Sequence, residues 1–237
     1  MNLYKLEMMK IRITTYLKAA LIICACLWCL GIMFLFIYLL ESPADPEGVE
    51  LFSQWNGLLA LISALTFSTC SVFSACLSSK FIIGEYFEKN APALLTLPIQ
   101  RKAVLRKKCL IICAFTTASA FFCNVTTMGI MYIASKLFHI TPQTLTEHFV
   151  LTVFLSGILT GILASTTGII SSLAGWQKRS RTATIIASLV IVCFTANWIA
   201  LAPCYIIPVM LLMSMISVVI AAVIYNLLTK KLEDLEV

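Results

Sequence analysis

Six stretches of this chain are each long enough to cross a bilayer as a helix, and none contains Asp, Glu, Lys, Arg or His: 19–40, 56–79, 109–135, 149–173, 184–202 and 206–228. A helix needs about 20 mostly apolar residues to cross roughly 30 Å of hydrocarbon, and lipid leaves closed hydrogen-bonded elements as the only spanning structures. Six helices in one transmembrane domain covering 1–237 follow from this pattern. With 60% hydrophobic and 12% charged residues, the composition excludes an ordinary soluble domain, in which about a quarter of residues are charged. The first apolar stretch, "LIICACLWCLGIMFLFIYLL", runs on without a small-residue cleavage site and is read as a retained helix rather than a signal peptide.

Orientation follows from the basic residues. With the N-terminus in the cytoplasm, 16 of the 17 Lys and Arg fall inside and only Lys136 lies outside. The expected fold is therefore an all-α polytopic membrane protein with six transmembrane helices and both termini cytoplasmic. The first outer loop, "ESPADPEGVE", is acidic. The net charge of +6 needs no nucleic acid as partner, because the basic residues lie where anionic lipid headgroups attract them.

Before the first span, Leu3, Leu6, Met9, Ile13 and Leu17 recur at near-helical spacing while Lys5, Lys10, Arg12 and Lys18 point elsewhere. That pattern predicts an amphipathic interfacial helix over 1–18; a plain basic flank to the first span is the other reading. Between spans five and six, Pro203 and Pro208 bracket a connection that is very short or partly re-entrant.

Eight of the ten cysteines fall inside the spans, Cys109 sits at an inner boundary and Cys204 near the outer face, so no disulfide framework is implied. Cys26 and Cys29 share a helix face, but a thiol among apolar neighbours serves as a small packing group, and no metal site is assigned. His139 and His148 fall in the loop between spans three and four without other ligands beside them and are placed at the outer interface.

Charge-free spans bear on function. Proton- and ion-coupled transporters keep costly intramembrane Asp, Glu, His or Arg as relays, and intramembrane proteases need a catalytic His, a metal-binding motif or paired acidic residues. If the chain moves a substrate, the energy must come from elsewhere. The spans instead carry small and hydroxylated residues at packing distance. Gly157, Gly161, Ser165, Gly168 and Ser172 form one stripe, and Ser63, Thr66, Cys70, Ser74 and Ser78 another. Such stripes let helices approach closely, within one chain, at a subunit seam or along a substrate path. Asn124 and Asn197 are expected to face the bundle interior.

The longest polar run, "EYFEKNAPALLTLPIQRKAVLRKK" from Glu85 to Lys108, forms a cytoplasmic loop over 80–108 between spans two and three. A short helix is expected from about Phe81 to Asn90, with Glu85 and Glu88 opposite Ile83 and Phe87. After the two prolines a basic helix, "QRKAVLRKK", leads into span three. Headgroup anchoring accounts for the basic residues but not for the glutamates or the apolar run "APALLTLP".

Glu85, eight residues and then "LLTLPIQR" and Lys108 resemble the cytoplasmic-loop signature of small ABC-2-type permeases, especially those of lantibiotic self-immunity and related antimicrobial-peptide resistance transporters. The chain departs from that pattern at "EKNAP", where Pro92 stands. The resemblance, on Glu85, Leu94, Leu95, Pro98, Arg101 and Lys108, implies that this is a coupling loop that docks into a separate cytoplasmic ATP-binding cassette ATPase, and Phe87 and Glu88 are assigned to the same contact as residues of that loop. The resemblance also implies a second permease subunit, identical or related, and a bacterial plasma membrane. ATP and Mg would then be bound by the partner and no cofactor by this chain, which has no GxxxxGK[ST] motif. The expected function is that of a permease subunit, not an enzyme, that expels an amphipathic or hydrophobic substrate such as an antimicrobial peptide. A non-transporting membrane scaffold or sensor, whose basic loop recruits a partner, is the alternative.

Overall fold

The helices form where the apolar runs predict them, and the computed structural model describes residues 13–40, 54–84, 101–138, 147–201, 203 and 205–233. In chain order they are α1 (Ile13–Leu40), α2 (Trp55–Ser78), continued by a π-helical turn (Ser79–Ile83), α3 (Arg101–Phe138), α4 (Glu147–Lys178), α5 (Arg181–Ala200) and α6 (Ile206–Glu233). All six are long and apolar enough to cross a membrane.

The arrangement is concentric. Helix α4 packs against α2, α3, α5 and α6, and α2 packs in turn against α3 and α5, while α1 leans mainly on α3. Most of the apolar stretch of α2 and more than half of that of α4 are buried, whereas α1, α5 and α6 are largely exposed. The exposed faces are apolar: Leu21, Phe194 and Leu212 are 61%, 72% and 59% accessible. Water would not tolerate so much contiguous apolar surface on a single chain, but lipid is the matching solvent. The hydroxyls, conversely, are inside. Ser63, Thr66, Ser71, Ser74 and Ser78 of α2 and Ser156, Thr160, Thr167, Ser171 and Ser172 of α4 are all buried. In lipid no hydrophobic force drives helices together, so close packing of small residues and interhelical hydrogen bonds must hold the bundle.

The glycine stripe of α4 meets α3, then α2, then α5 along its length. A Cβ on Gly161 would lie 2.8 Å from the Thr117 carbonyl oxygen of α3, and one on Gly168 would run into the Ser74 side chain of α2. Gly157 faces Phe121 of α3, and Gly175 faces Thr184 of α5. The helices cross at angles, so one stripe serves three neighbours in succession.

Several boundaries differ from the sequence expectation. Helix α1 already includes residues 13–18, so this part of the expected interfacial helix is continuous with the first span; residues 1–12 lie outside the described residues. The helix expected from Phe81 to Asn90 is not separate in its described part, where Phe81–Ile83 and Gly84 prolong α2. Pro208 lies in the first turn of α6, where the backbone donors lack intrahelical partners in any case and proline costs little. Between α4 and α5 the chain reverses over two residues. The Ser180 N–H reaches the Gly175 carbonyl and the Arg179 N–H the Trp176 carbonyl, with Arg179 at φ 48° in the position that glycine commonly fills.

Candidate functional site: the π-helical end of helix α2

The second helix does not end as an ordinary α-helix. From Ser79 to Ile83 it widens into a π-turn, and the Gly84 N–H bonds back to the Ser79 carbonyl five residues earlier. Single π-turns are rare and recur at functional positions. The turn is held by packing: Ile82 and Ile83 are fully buried in an apolar cluster with Leu105 and Ile112 of α3, Trp176 of α4, and Ile224 and Leu228 of α6. Four helices therefore share one core around the π-turn.

Cations gather around this end. Lys108, 2% exposed, donates from Nζ to the Phe81 carbonyl at 3.4 Å. That bond is long, and its value lies in placing a positive charge against a backbone carbonyl of the π-turn. The Arg181 guanidinium lies across Gly84, where a Cβ would come within 2.9 Å of its central carbon. Lys80 sits over the Tyr16 ring at 5.2 Å from its centroid, and Tyr16 packs on Phe81 at 5.4 Å. Helix α3 spans 38 residues, roughly 57 Å at 1.5 Å per residue, so its basic first turns project beyond about 30 Å of hydrocarbon.

Of the residues singled out from the sequence, Lys108 stands in this collar and Arg101 opens α3. Glu85, Phe87, Glu88, Leu94, Leu95 and Pro98 lie outside the described residues. Gly157, Gly161, Ser165 and Gly168 are buried along α4. Asn124 is buried and donates from Nδ2 to Ser63 Oγ at 3.1 Å, linking α3 to α2. Asn197 corrects the expectation that it faces inward. It is exposed, and its amide bonds the Cys193 carbonyl one turn back, which satisfies the donor within its own helix. Cys26 and Cys29 are both exposed. Arg181, Gly84 and the π-turn escaped the sequence reading, whereas Gly175 continues the small-residue stripe three residues beyond Ser172 and was legible there.

Above the collar runs a hydroxyl seam. The side-chain oxygens of Thr66, Ser71, Ser74, Ser78 and Thr184, with Asn124 Oδ1, are buried and find no hydrogen-bond partner among the described residues. Asn124→Leu should remove its link to Ser63 and strand one more hydroxyl, costing about 1 kcal/mol. Thermal unfolding in detergent checks this, and an unchanged midpoint would show the link to be inert.

A bundle of six long apolar helices, with hydroxyls buried between them and cations gathered at one end, places the chain among multi-pass membrane proteins. Over 192 residues, 81% of this chain and 82% of its relative, it is 28% identical to the uncharacterized protein YcbO of Bacillus subtilis (strain 168). No family model matches, and no solved structure matches.

Proposed function

We propose that the chain is the permease subunit of an ATP-binding cassette transporter in a bacterial plasma membrane, with both termini and the 85–100 loop cytoplasmic. The ATPase is a separate subunit that binds ATP and Mg, and a second permease chain, identical or related, completes the path. The substrate is amphipathic or hydrophobic, with an antimicrobial peptide of the lantibiotic type as the leading case.

The observation that carries this reading is the construction of the loop's root. Among the described residues Lys108 is the only charged side chain that is buried, and it sits at the π-turn from which the polar loop departs. The six spans carry no Asp, Glu or His, which favours an external energy source over an ion relay. Because Ile82 and Ile83 pack into the ends of α3, α4 and α6, force applied to the loop reaches the bundle as a unit. The loop sequence, with Glu85, "LLTLPIQR" and Lys108, supplies the docking element, and the apolar lipid-facing surface suits a substrate that enters from the membrane.

The test is affinity purification in mild detergent followed by an ATPase assay, with the wild type beside Glu85→Lys. The wild type should bring down an ATP-binding cassette subunit and its activity. The variant should insert normally and lose roughly tenfold or more of both, as expected when one charged contact is reversed. A wild-type chain that emerges alone would sink the permease and favour the scaffold or sensor.

A further inference from the structure

At the end of the bundle opposite the π-turn, an apolar pocket of about 150 Å³ opens between α2, α3 and α4. Trp55, Tyr132, Phe149 and Phe154 supply its aromatic walls, and Gly129 forms part of its lining. The aromatic group is preassembled: Trp55 stands 6.2 Å from Tyr132 and 6.1 Å from Phe149, ring centre to ring centre. Among the described residues a Cβ on Gly129 would meet nothing within 4 Å, so this exposed glycine leaves the pocket open on the α3 side. A dry apolar cavity of this size holds one ring or a short run of methylenes and is too small for a whole drug-sized molecule. The rest of any occupant must therefore lie outside.

One turn along α3 from Tyr132, Lys136 holds Nζ 4.9 Å from the centre of the Tyr132 ring, on an exposed stretch of the helix. A wall of the pocket thus carries a cation near the end of α3, which closes at Phe138. An apolar slot beside a positive charge matches a tail beneath a negative headgroup, and Lys136, already over the Tyr132 face, repels a second cation there.

We propose that this pocket binds one anionic phospholipid, with the acyl chain against Trp55, Phe149 and Phe154 and the phosphate at Lys136. The site is independent of the transport reading; only its assignment to the outer leaflet rests on the orientation given above.

Trp55 is 5% exposed, so bulk acyl chains reach it chiefly through the pocket, which makes its fluorescence the readout. The chain, with Trp28, Trp176 and Trp198 changed to Phe, is reconstituted with brominated phosphatidylglycerol or brominated phosphatidylcholine at equal mole fraction. Quenching of Trp55 should show about fivefold preference for the anionic lipid, the effect of one well-placed basic residue. Lys136→Gln should remove the preference while leaving quenching by phosphatidylcholine unchanged, and Gly129→Phe should fill the pocket and abolish quenching by both. Equal quenching by the two lipids in the wild-type pocket overturns the proposal, as does a preference that survives Lys136→Gln. Equal lipid quenching together with protection by a cationic amphipathic peptide would overturn it in favour of a peptide site. If the triple Trp→Phe chain does not fold, native mass spectrometry of the otherwise unaltered chain, with and without Lys136→Gln, reads the same preference as retained lipid.

Discussion

Gly168→Leu is expected to collapse the contact between the two central helices and to destabilise the bundle by roughly 3 kcal/mol or more. The reason is local and steric. A Cβ at this position already runs into the Ser74 side chain and comes within 3.0 Å of the Ser74 backbone carbon, which cannot move without shifting α2. Both helices lie at the centre of the bundle, and neither has a hydrophobic force with which to recover the contact in lipid. Gly129→Leu is the matched control: the same chemical change on a spanning helix, but into open space, with an expected effect within about 0.5 kcal/mol. Thermal unfolding of the two variants in one detergent separates them. Comparable midpoints would mean that the approach of α2 to α4 is not what holds the protein together.

The second large effect is expected at Lys108. Replacing it with glutamate would set a carboxylate against the Phe81 carbonyl, in a site only 2% exposed, at a cost of roughly 3 kcal/mol or more. Lys108→Met keeps the length of the stem and removes the charge, and should cost about 1–2 kcal/mol. Hydrogen exchange of the backbone over 79–84 reads the outcome without reference to transport. Each 1.4 kcal/mol lost locally speeds exchange about tenfold, so about tenfold is expected for Lys108→Met and roughly a hundredfold for Lys108→Glu. Unchanged exchange in both would show that the π-turn is held by Ile82 and Ile83 alone.

These two residues also mark how far the sequence could be read. Gly168 was recognisable as part of a packing stripe because its spacing is a property of one helix. Which neighbour it touches was not, because Gly161 and Gly168 lie on the same stripe yet meet α3 and α2 respectively, a matter of crossing angle. Lys108 was legible as a basic residue at the foot of a span, but the sequence offered headgroup anchoring as its role. Its burial depends on Phe81 lying 27 residues earlier in the chain. Asn197 and Asn124 look alike in sequence, each a lone amide in an apolar run. One faces out and is satisfied by its own helix, and the other reaches Ser63, because α5 is peripheral at that level while α3 faces α2.

That the chain forms apolar helices able to span lipid was legible in the sequence alone, although not their full length: α3 runs Arg101–Phe138 where 109–135 was expected. A run of 20 or more apolar residues has few ways to satisfy its backbone in hydrocarbon, and helix formation is local. The tertiary structure alone decided that α2 and α4 form the centre, that α2 widens into a π-turn beneath a collar of Lys108 and Arg181, and that Trp55, Gly129 and Tyr132 frame a pocket. Those features come from residues far apart in the chain whose meeting depends on packing angles, and no pattern within a single helix encodes such an angle.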